Sequence, residues 1–257
     1  MTTLSLAVRD SNTMLRRNLR HMQRYPAMIF YLAGMPVIFL LLFVFVFGGT
    51  LGAGLGGGRT EYLGYVVPGI LLMTIGGAAA GTAVSVATDM TEGIVARFRT
   101  MAIARVAVLT GHVLGSIIQT LVSLAIVLAV ALAIGYRPTA DPVAWLAVAG
   151  VLTMTSFAIT WLATALGLVA KTVEEASNTP LLLSLLPFIG SGFVPTGSMP
   201  AGLRQFAEHQ PFTPIMETLR ALLTGAPVGN QLWWAITWCV AIALIGYLWA
   251  RRRYNAR

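Results

Sequence analysis

Three histidines, one cysteine and one lysine, beside nine acidic residues, are the first side chains from which catalysis could be assembled in this sequence of 257 residues. His21, His112 and His209 fall in three separate segments, and no His-Glu-x-x-His run sets two imidazoles one helical turn apart for a metal. His112 stands near the end of an apolar run, where a structural hydrogen-bonding role is expected. Glu208 and His209 are adjacent, but no nucleophile shares their sequence context, so a hydrolase is not expected. A phosphate-binding P-loop needs Gly-Lys followed by Ser or Thr, its lysine reaching the terminal phosphates. Lys171 follows Ala170 instead, and the Gly-rich run 52–58 has no lysine and follows no strand. That run reads as a flexible loop. Cys239 is alone in an apolar stretch, which excludes an internal disulfide framework.

The elements that would have to position any chemistry are long and apolar. Hydrophobic residues make up 57% of the chain and charged residues 10%, with a mean hydropathy of +0.78. A soluble domain of this size needs more charge to cover its surface. Six stretches have spanning character: 27–47, 62–88, 106–135, 142–170, 179–194 and 231–250. Pro187 interrupts the fifth, and Gly190, Gly192 and Pro195 follow closely, so a kinked or broken span is expected there. The apolar centres lack Asp, Glu, Lys and Arg, which disfavours proton or ion coupling. Energy for uphill movement is then expected from another chain.

The net charge of +8 does not form a nucleic-acid patch, because the arginines sit at the ends of apolar segments without stacking aromatics. Arginine outnumbers lysine sixteen to one, a bias expected of a GC-rich bacterial genome. Placing both termini in the cytoplasm puts thirteen basic residues inside and leaves four outside: Arg59, Arg137, Arg204 and Arg220. The expected location is therefore a bacterial inner membrane. The first apolar run has 21 residues, longer than a usual signal-peptide core, so an uncleaved first helix is expected over a cleaved signal. Before it, Leu4, Val8, Leu15, Leu19 and Met22 recur at helical spacing, which predicts an interfacial helix over 1–25; a disordered basic tail is the alternative.

Between the fifth and sixth stretches lies an outer segment, 195–230. A short helix is expected from about Pro200 through Glu208, with Leu203 and Phe206 on one side. A second begins with Thr213 as N-cap and Pro214 at the first helical position, carries the stripe Ile215, Met216, Leu219, Leu222 and Leu223, and stops at Gly225. It is too short to span, and is expected either to dip into the outer leaflet or to lie on the surface. Pro195, Pro200 and Pro211 break the backbone, while Glu217 and Arg220 stand one turn apart. With Thr213 and Pro214 they are expected to form an outer gate.

The inner connection 89–105 reads DMTEGIVARFRTMAIAR. Ile94, Val95, Phe98, Met101 and Ala102 share one helical face, with Glu92, Arg97 and Arg99 largely elsewhere. Such a helix suits a partner's groove; the other reading is an ordinary interfacial helix. This loop, followed by Gly111 and His112, resembles the coupling-helix region of ABC-2 type transporter permeases, especially the daunorubicin-resistance permease subfamily. Pro187-Phe188, then SGFVPTGSMPAGL (191–203), then QPFTP (210–214), Glu217 and Arg220, are similar to that family's segment between spans five and six. The resemblance covers the whole chain. One departure is Ala102, where many relatives have proline.

The resemblance implies an all-α membrane domain over 1–257, with six transmembrane helices, an N-terminal interfacial helix and a short re-entrant or outer helical segment. It implies separate ABC ATPase subunits that bind ATP and Mg, docked on Glu92, Gly93, Ile94, Val95, Arg97, Phe98, Arg99 and Arg105, with no cofactor in this chain. It implies a second permease protomer, identical or paralogous, in contact with membrane lipids and no nucleic acid. Gly77-x-x-x-Gly81 and Gly111-x-x-x-Gly115 are expected to permit close helix packing. The implied activity is export of a hydrophobic or amphipathic molecule, a drug or a lipid. Export of a lipid-linked glycan and a non-transporting scaffold are the alternatives.

Overall fold

A computed structural model describes residues 26–91 and 105–256, with side chains in 32–91 and 110–254 apart from residue 181. The expected interfacial helix 1–25, and all of the expected docking residues from Glu92 to Arg99, lie outside the described residues. Of the Arg105 residue only the helical backbone is described.

The described residues are mostly helical, with no strand among them. Helix α1 (Pro26–Leu41) continues through a π-helical stretch (Leu42–Phe47) into α2 (Gly48–Gly54). Then follow α3 (Arg59–Thr91), α4 (Arg105–Ala133), α5 (Pro142–Val169) and α6 (Val173–Leu185). A 3-10 turn (Leu186–Ile189) leads to a second (Thr196–Ser198), and α7 (Ala201–His209), α8 (Phe212–Thr224) and α9 (Gln231–Ala256) complete the order. Five stretches are long and apolar enough to cross a membrane: Leu32–Gly54, Arg59–Thr91, Thr110–Ala133, Pro142–Val169 and Gln231–Tyr254.

The Gly-rich run is less loop than expected. Residues 48–54 stay helical, and the Gly52 carbonyl accepts from both Leu55 and Gly57 backbone N–H groups at 3.0 Å, which closes the end tightly. The fifth stretch also begins earlier than its apolar run. Thr172 caps α6 by accepting from the Glu175 N–H at 3.1 Å, and the Glu175 carboxylate reaches back to the Lys171 N–H at 2.9 Å. Glu174 and Glu175 in the first turn complement the helix dipole. A reading based on apolar content misses such a polar start.

Helix α3 is the hub, packed against α1, α4, α5, α6 and α8. Two glycines let the fifth segment lie on it: a Cβ at Gly76 would come 2.7 Å from Ser184 Cα, and one at Gly69 would come 2.7 Å from the Gly192 carbonyl oxygen. The Tyr62 hydroxyl donates to the Phe193 carbonyl at 3.2 Å. As the fifth segment advances from 184 to 193, its contacts retreat along α3 from 76 to 62, so the two run antiparallel. The end of the bundle where α3 begins, at Arg59, is called distal below; the end at Thr91 is proximal.

Helix α9 lies along α5, where a Cβ on Gly246 would meet the Leu162 N at 2.6 Å and the Trp161 and Tyr247 rings cross edge to face at 5.0 Å. Its other face exposes Leu244, Ile245 and Leu248, with Trp233 and Trp234 toward one end and Arg251, Arg252 and Arg253 toward the other. Among the described residues, a Cβ on Gly77 or Gly81 meets nothing within 4 Å, so neither is needed for packing there. Gly111 and Gly115 are buried.

Candidate functional site

At the distal end, the segment between α6 and α8 is folded inward and pinned by polar bonds. The sequence ends α6 here because Pro187 has no N–H to extend the ladder, and the glycines at 190 and 192 favour an irregular path. Phe188 and Phe193 stack face to face at 4.2 Å, and Phe43 of the π-helical stretch sits 4.6 Å from Phe193. Phe39 meets Phe188 edge-on at 5.9 Å. Four aromatic rings thus seat the broken segment on the first span, each such pair contributing about 0.5–1.5 kcal/mol beyond its area.

Helix α8 sits behind this break. Ile215, Met216, Leu219 and Leu223 are fully buried and Leu222 is half-buried, against α3, α5 and α9. The stripe is therefore packed inside the protein, neither on its surface nor facing lipid. Gly225 ends the helix at φ 68° as expected, but the start is different. The helix begins at Phe212, and Thr213 does not cap it. The Thr213 hydroxyl donates to the Ala207 carbonyl at 2.5 Å and accepts from Gln210 Nε2 at 3.1 Å. Gln210 Nε2 also reaches the Leu186 carbonyl at 3.4 Å, tying α7, α8 and the 3-10 turn together. Pro214 is buried, Pro211 and Pro195 half-buried, and Pro200 exposed at the start of α7.

Arg220 is the pivot of the site. One guanidinium nitrogen, Nη1, pairs with Glu217 Oε1 at 2.7 Å, the one-turn pairing expected from spacing. Nη2 donates to the Ser191 carbonyl at 2.7 Å and to the Tyr65 carbonyl at 3.2 Å. The guanidinium carbon also lies 3.9 Å above the Tyr65 ring centre. One side chain, 15% exposed, thus joins α8, α3 and the break. Tyr65 and Ser191 were not legible as partners, because a backbone carbonyl leaves no mark in a sequence. Arg220 Nε, Ser191 Oγ, Gln210 Oε1 and Tyr136 Oη are buried without a protein partner among the described residues, so the site holds unspent hydrogen-bonding capacity.

Tyr136, after the end of α4, borders this cluster. Burial pushes its phenol up from 10.0 to about 12, and the Arg220 charge offsets only part of that rise. The folded state then holds the proton more tightly than the unfolded chain. The group makes no difference below the ordinary phenol value, and stability falls as pH rises from about 10 toward about 12. Tyr136→Phe is expected to leave neutral-pH stability within about 1 kcal/mol, because no bond is lost, and to remove this alkaline loss. Unfolding of the purified protein at pH 8 and at pH 11 checks it; an unchanged alkaline loss in the variant refutes the assignment.

Elsewhere, chemistry remains structural. Glu208 pairs with Arg204 at 2.7 Å, and His209 Nδ1 bonds the Gln205 carbonyl at 2.8 Å, so both side chains are held within their own helix. His112 Nε2 lies 2.8 Å from Asp89 Oδ2, the structural bond expected of it, now with its partner named. Among the described residues, no group of three or more His, Cys, Asp or Glu is arranged to hold a metal.

Residues 10–224 match the profile of the ABC-2 type transporter family. The chain belongs to that family. It is 29% identical over 220 residues to the daunorubicin resistance ABC transporter permease protein of Streptomyces coeruleorubidus, covering 85% of this chain and 76% of that one. It is 23% identical over 180 residues to a probable doxorubicin resistance ABC transporter permease protein of Mycobacterium tuberculosis, covering 68% of this chain and 64% of that one. The permease is thus a multi-pass protein of the inner membrane and a transmembrane subunit without an ATPase domain of its own. As an ABC-2 permease it belongs with an ABC ATPase.

Proposed function

We propose that the permease exports a hydrophobic or amphipathic drug-like molecule, driven by separate ATPase subunits, and that the distal cluster around Arg220 is its outer gate. The observation that carries the gate is the Arg220 fork, which latches a helix too short to span onto a break in the fifth segment. The names of the relatives favour an anthracycline-like drug as cargo. Irregular backbone at membrane depth persists only where protein or a watery cavity satisfies it, and the unspent polar atoms beside Arg220 suit such a place.

Six crossings suit this reading. Helix α6 extends about 20 Å and the following 3-10 turn about 8 Å, together close to a hydrocarbon thickness of about 30 Å. Its antiparallel course along α3 supports a full crossing. Both termini then face the cytoplasm, in keeping with the basic bias, and the distal end is the outer one. A second permease protomer completes the pathway. ATP and Mg belong to the partner ATPase, docked on the stretch from Glu92 to Arg105, where the apolar face of Ile94, Val95 and Phe98 meets its groove.

The test is coexpression with the cognate ATPase. The complex is expected to copurify and to hydrolyse ATP faster in the presence of daunorubicin. Phe98→Ala is expected to lower ATPase recovery with the permease several-fold, or to uncouple hydrolysis from export, while membrane insertion stays intact. Full assembly and full coupling in that variant would remove the docking assignment, and failure of the parent chain to bind any ATPase would leave the scaffold reading.

A further inference from the structure

The segment 92–104 joins α3 to α4, and the two helices are fastened together just beyond its ends. His112 Nε2 and Asp89 Oδ2 are 2.8 Å apart, with both side chains 13% exposed. A carboxylate oxygen only accepts, so the imidazole nitrogen carries the hydrogen. About two turns deeper on α3, the Thr82 hydroxyl donates to Ser116 Oγ at 2.9 Å. These are two rungs between antiparallel helices, at 89 with 112 and at 82 with 116. Around them Val86, Val113, Ile117, Trp161 and Leu168 form a separate apolar cluster with the C-terminal part of α9. Such polar rungs in apolar surroundings are costly to break, because each partner is left without water.

We propose that the Asp89–His112 pair is a clasp that makes α3 and α4 move as one unit when the segment between them is displaced, and so transmits motor strokes to the distal latch. The inference rests on the exporter reading given above. Its geometry lies in α3 itself. Asp89 is at the proximal end of this helix and Tyr65, whose carbonyl holds Arg220, is 24 residues away, about 36 Å along the axis. The helix is continuous from Arg59 to Thr91, and although Pro68 lacks the N–H for one ladder bond near its distal end, packing against α1, α4, α5, α6 and α8 holds the two ends in one body. Without the clasp, a push on 92–104 is absorbed by splaying the ends of α3 and α4 apart. Both Asp89 and His112 are positioning residues; neither touches nucleotide or cargo.

The experiment uses the full permease with its ATPase in lipid vesicles, in a Cys239→Ser background. Val194→Cys reports the distal end, since Val194 is exposed beside the Phe193 stack. In the parent, the labelling rate of this cysteine by an impermeant maleimide is expected to change several-fold on adding ATP. Asp89→Asn and His112→Leu are each expected to abolish most of that change, while the amount of ATPase recovered with the permease falls far less than the response does. The exchange variant Asp89→His with His112→Asp is expected to restore it. A parental ATP response in both single variants overturns the clasp. So does a response that falls only in step with protein yield and is not restored by exchange, which marks a purely structural bond. A parent that binds its ATPase but shows no ATP response overturns the exporter reading itself, and the clasp with it.

Discussion

Replacing Arg220 by alanine is expected to reduce export at least tenfold while the protein still inserts and binds its ATPase. The substitution leaves the Ser191 and Tyr65 carbonyls and the Glu217 carboxylate without their shared donor. Hydrogen bonds to a charged group contribute about 1.5–3 kcal/mol each, and the partial exposure of this site places the total loss toward the lower end. Arg220→Lys is expected to fall between, because an ammonium keeps the charge but cannot reach Glu217, Ser191 and Tyr65 in one plane. Glu217→Ala is expected to be milder than Arg220→Ala, since Glu217 is the more exposed partner and holds only the guanidinium. Initial rates of daunorubicin efflux, normalised to permease in the membrane, measure the series. Equal export by Arg220→Ala and the parent would make the distal segment a passive cap.

The second large effect is expected at Gly69. A Cβ there would meet the Gly192 carbonyl oxygen at 2.7 Å and the Gly192 Cα at 2.9 Å, and neither is the movable end of a side chain. Gly69→Val must push the fifth segment off α3. Overpacking of a close-packed interior costs about 1–3 kcal/mol, and a clash with backbone belongs at the upper end. Gly77→Val, on the same helix, places its Cβ where nothing lies within 4 Å, and helix propensity is expected to leave the isolated chain unchanged or about a few tenths of a kcal/mol more stable, valine being a better helix former than glycine. Thermal stability of the two purified variants separates them. Equal stability at Gly69 and Gly77 would mean that the break does not rest on α3.

That contrast shows where sequence reasoning reached and where it stopped. Composition and apolar length were enough for an all-helical membrane protein, because crossing a bilayer imposes a simple requirement on each segment alone. One local signal was also legible: Gly225 closes α8 in a left-handed conformation, as expected of it. The spacing of Gly77 and Gly81 pointed to a packing face, yet the glycines of α3 that the fifth segment lies on are 69 and 76. Both sets have the same local chemistry, and only the course of the fifth segment tells them apart. Thr213 has the same lesson. Beside Pro214 it satisfies every local rule for a cap, but Gln210 and the Ala207 carbonyl claim its hydroxyl. The Glu217–Arg220 pair was legible from one-turn spacing, whereas the fork to 65 and 191 joins residues far apart in the chain.

The ends of α9 act as a ruler. Trp233 and Trp234 stand exposed at its start, and the Arg251–Arg253 triplet begins 17 residues after Trp234, about 26 Å along the helix. Indole rings settle among headgroups and guanidinium groups stay in water, so this helix is matched to a rather thin hydrocarbon layer. Welded to α5 through Gly246, it cannot adapt by tilting alone without carrying α5 with it. Lipids with longer acyl chains therefore load the junction between α5 and α9, and through the contacts of both helices with α8 they strain the distal latch. Export is therefore expected to slow in vesicles of longer acyl chains, as initial efflux rates across a series of chain lengths would show.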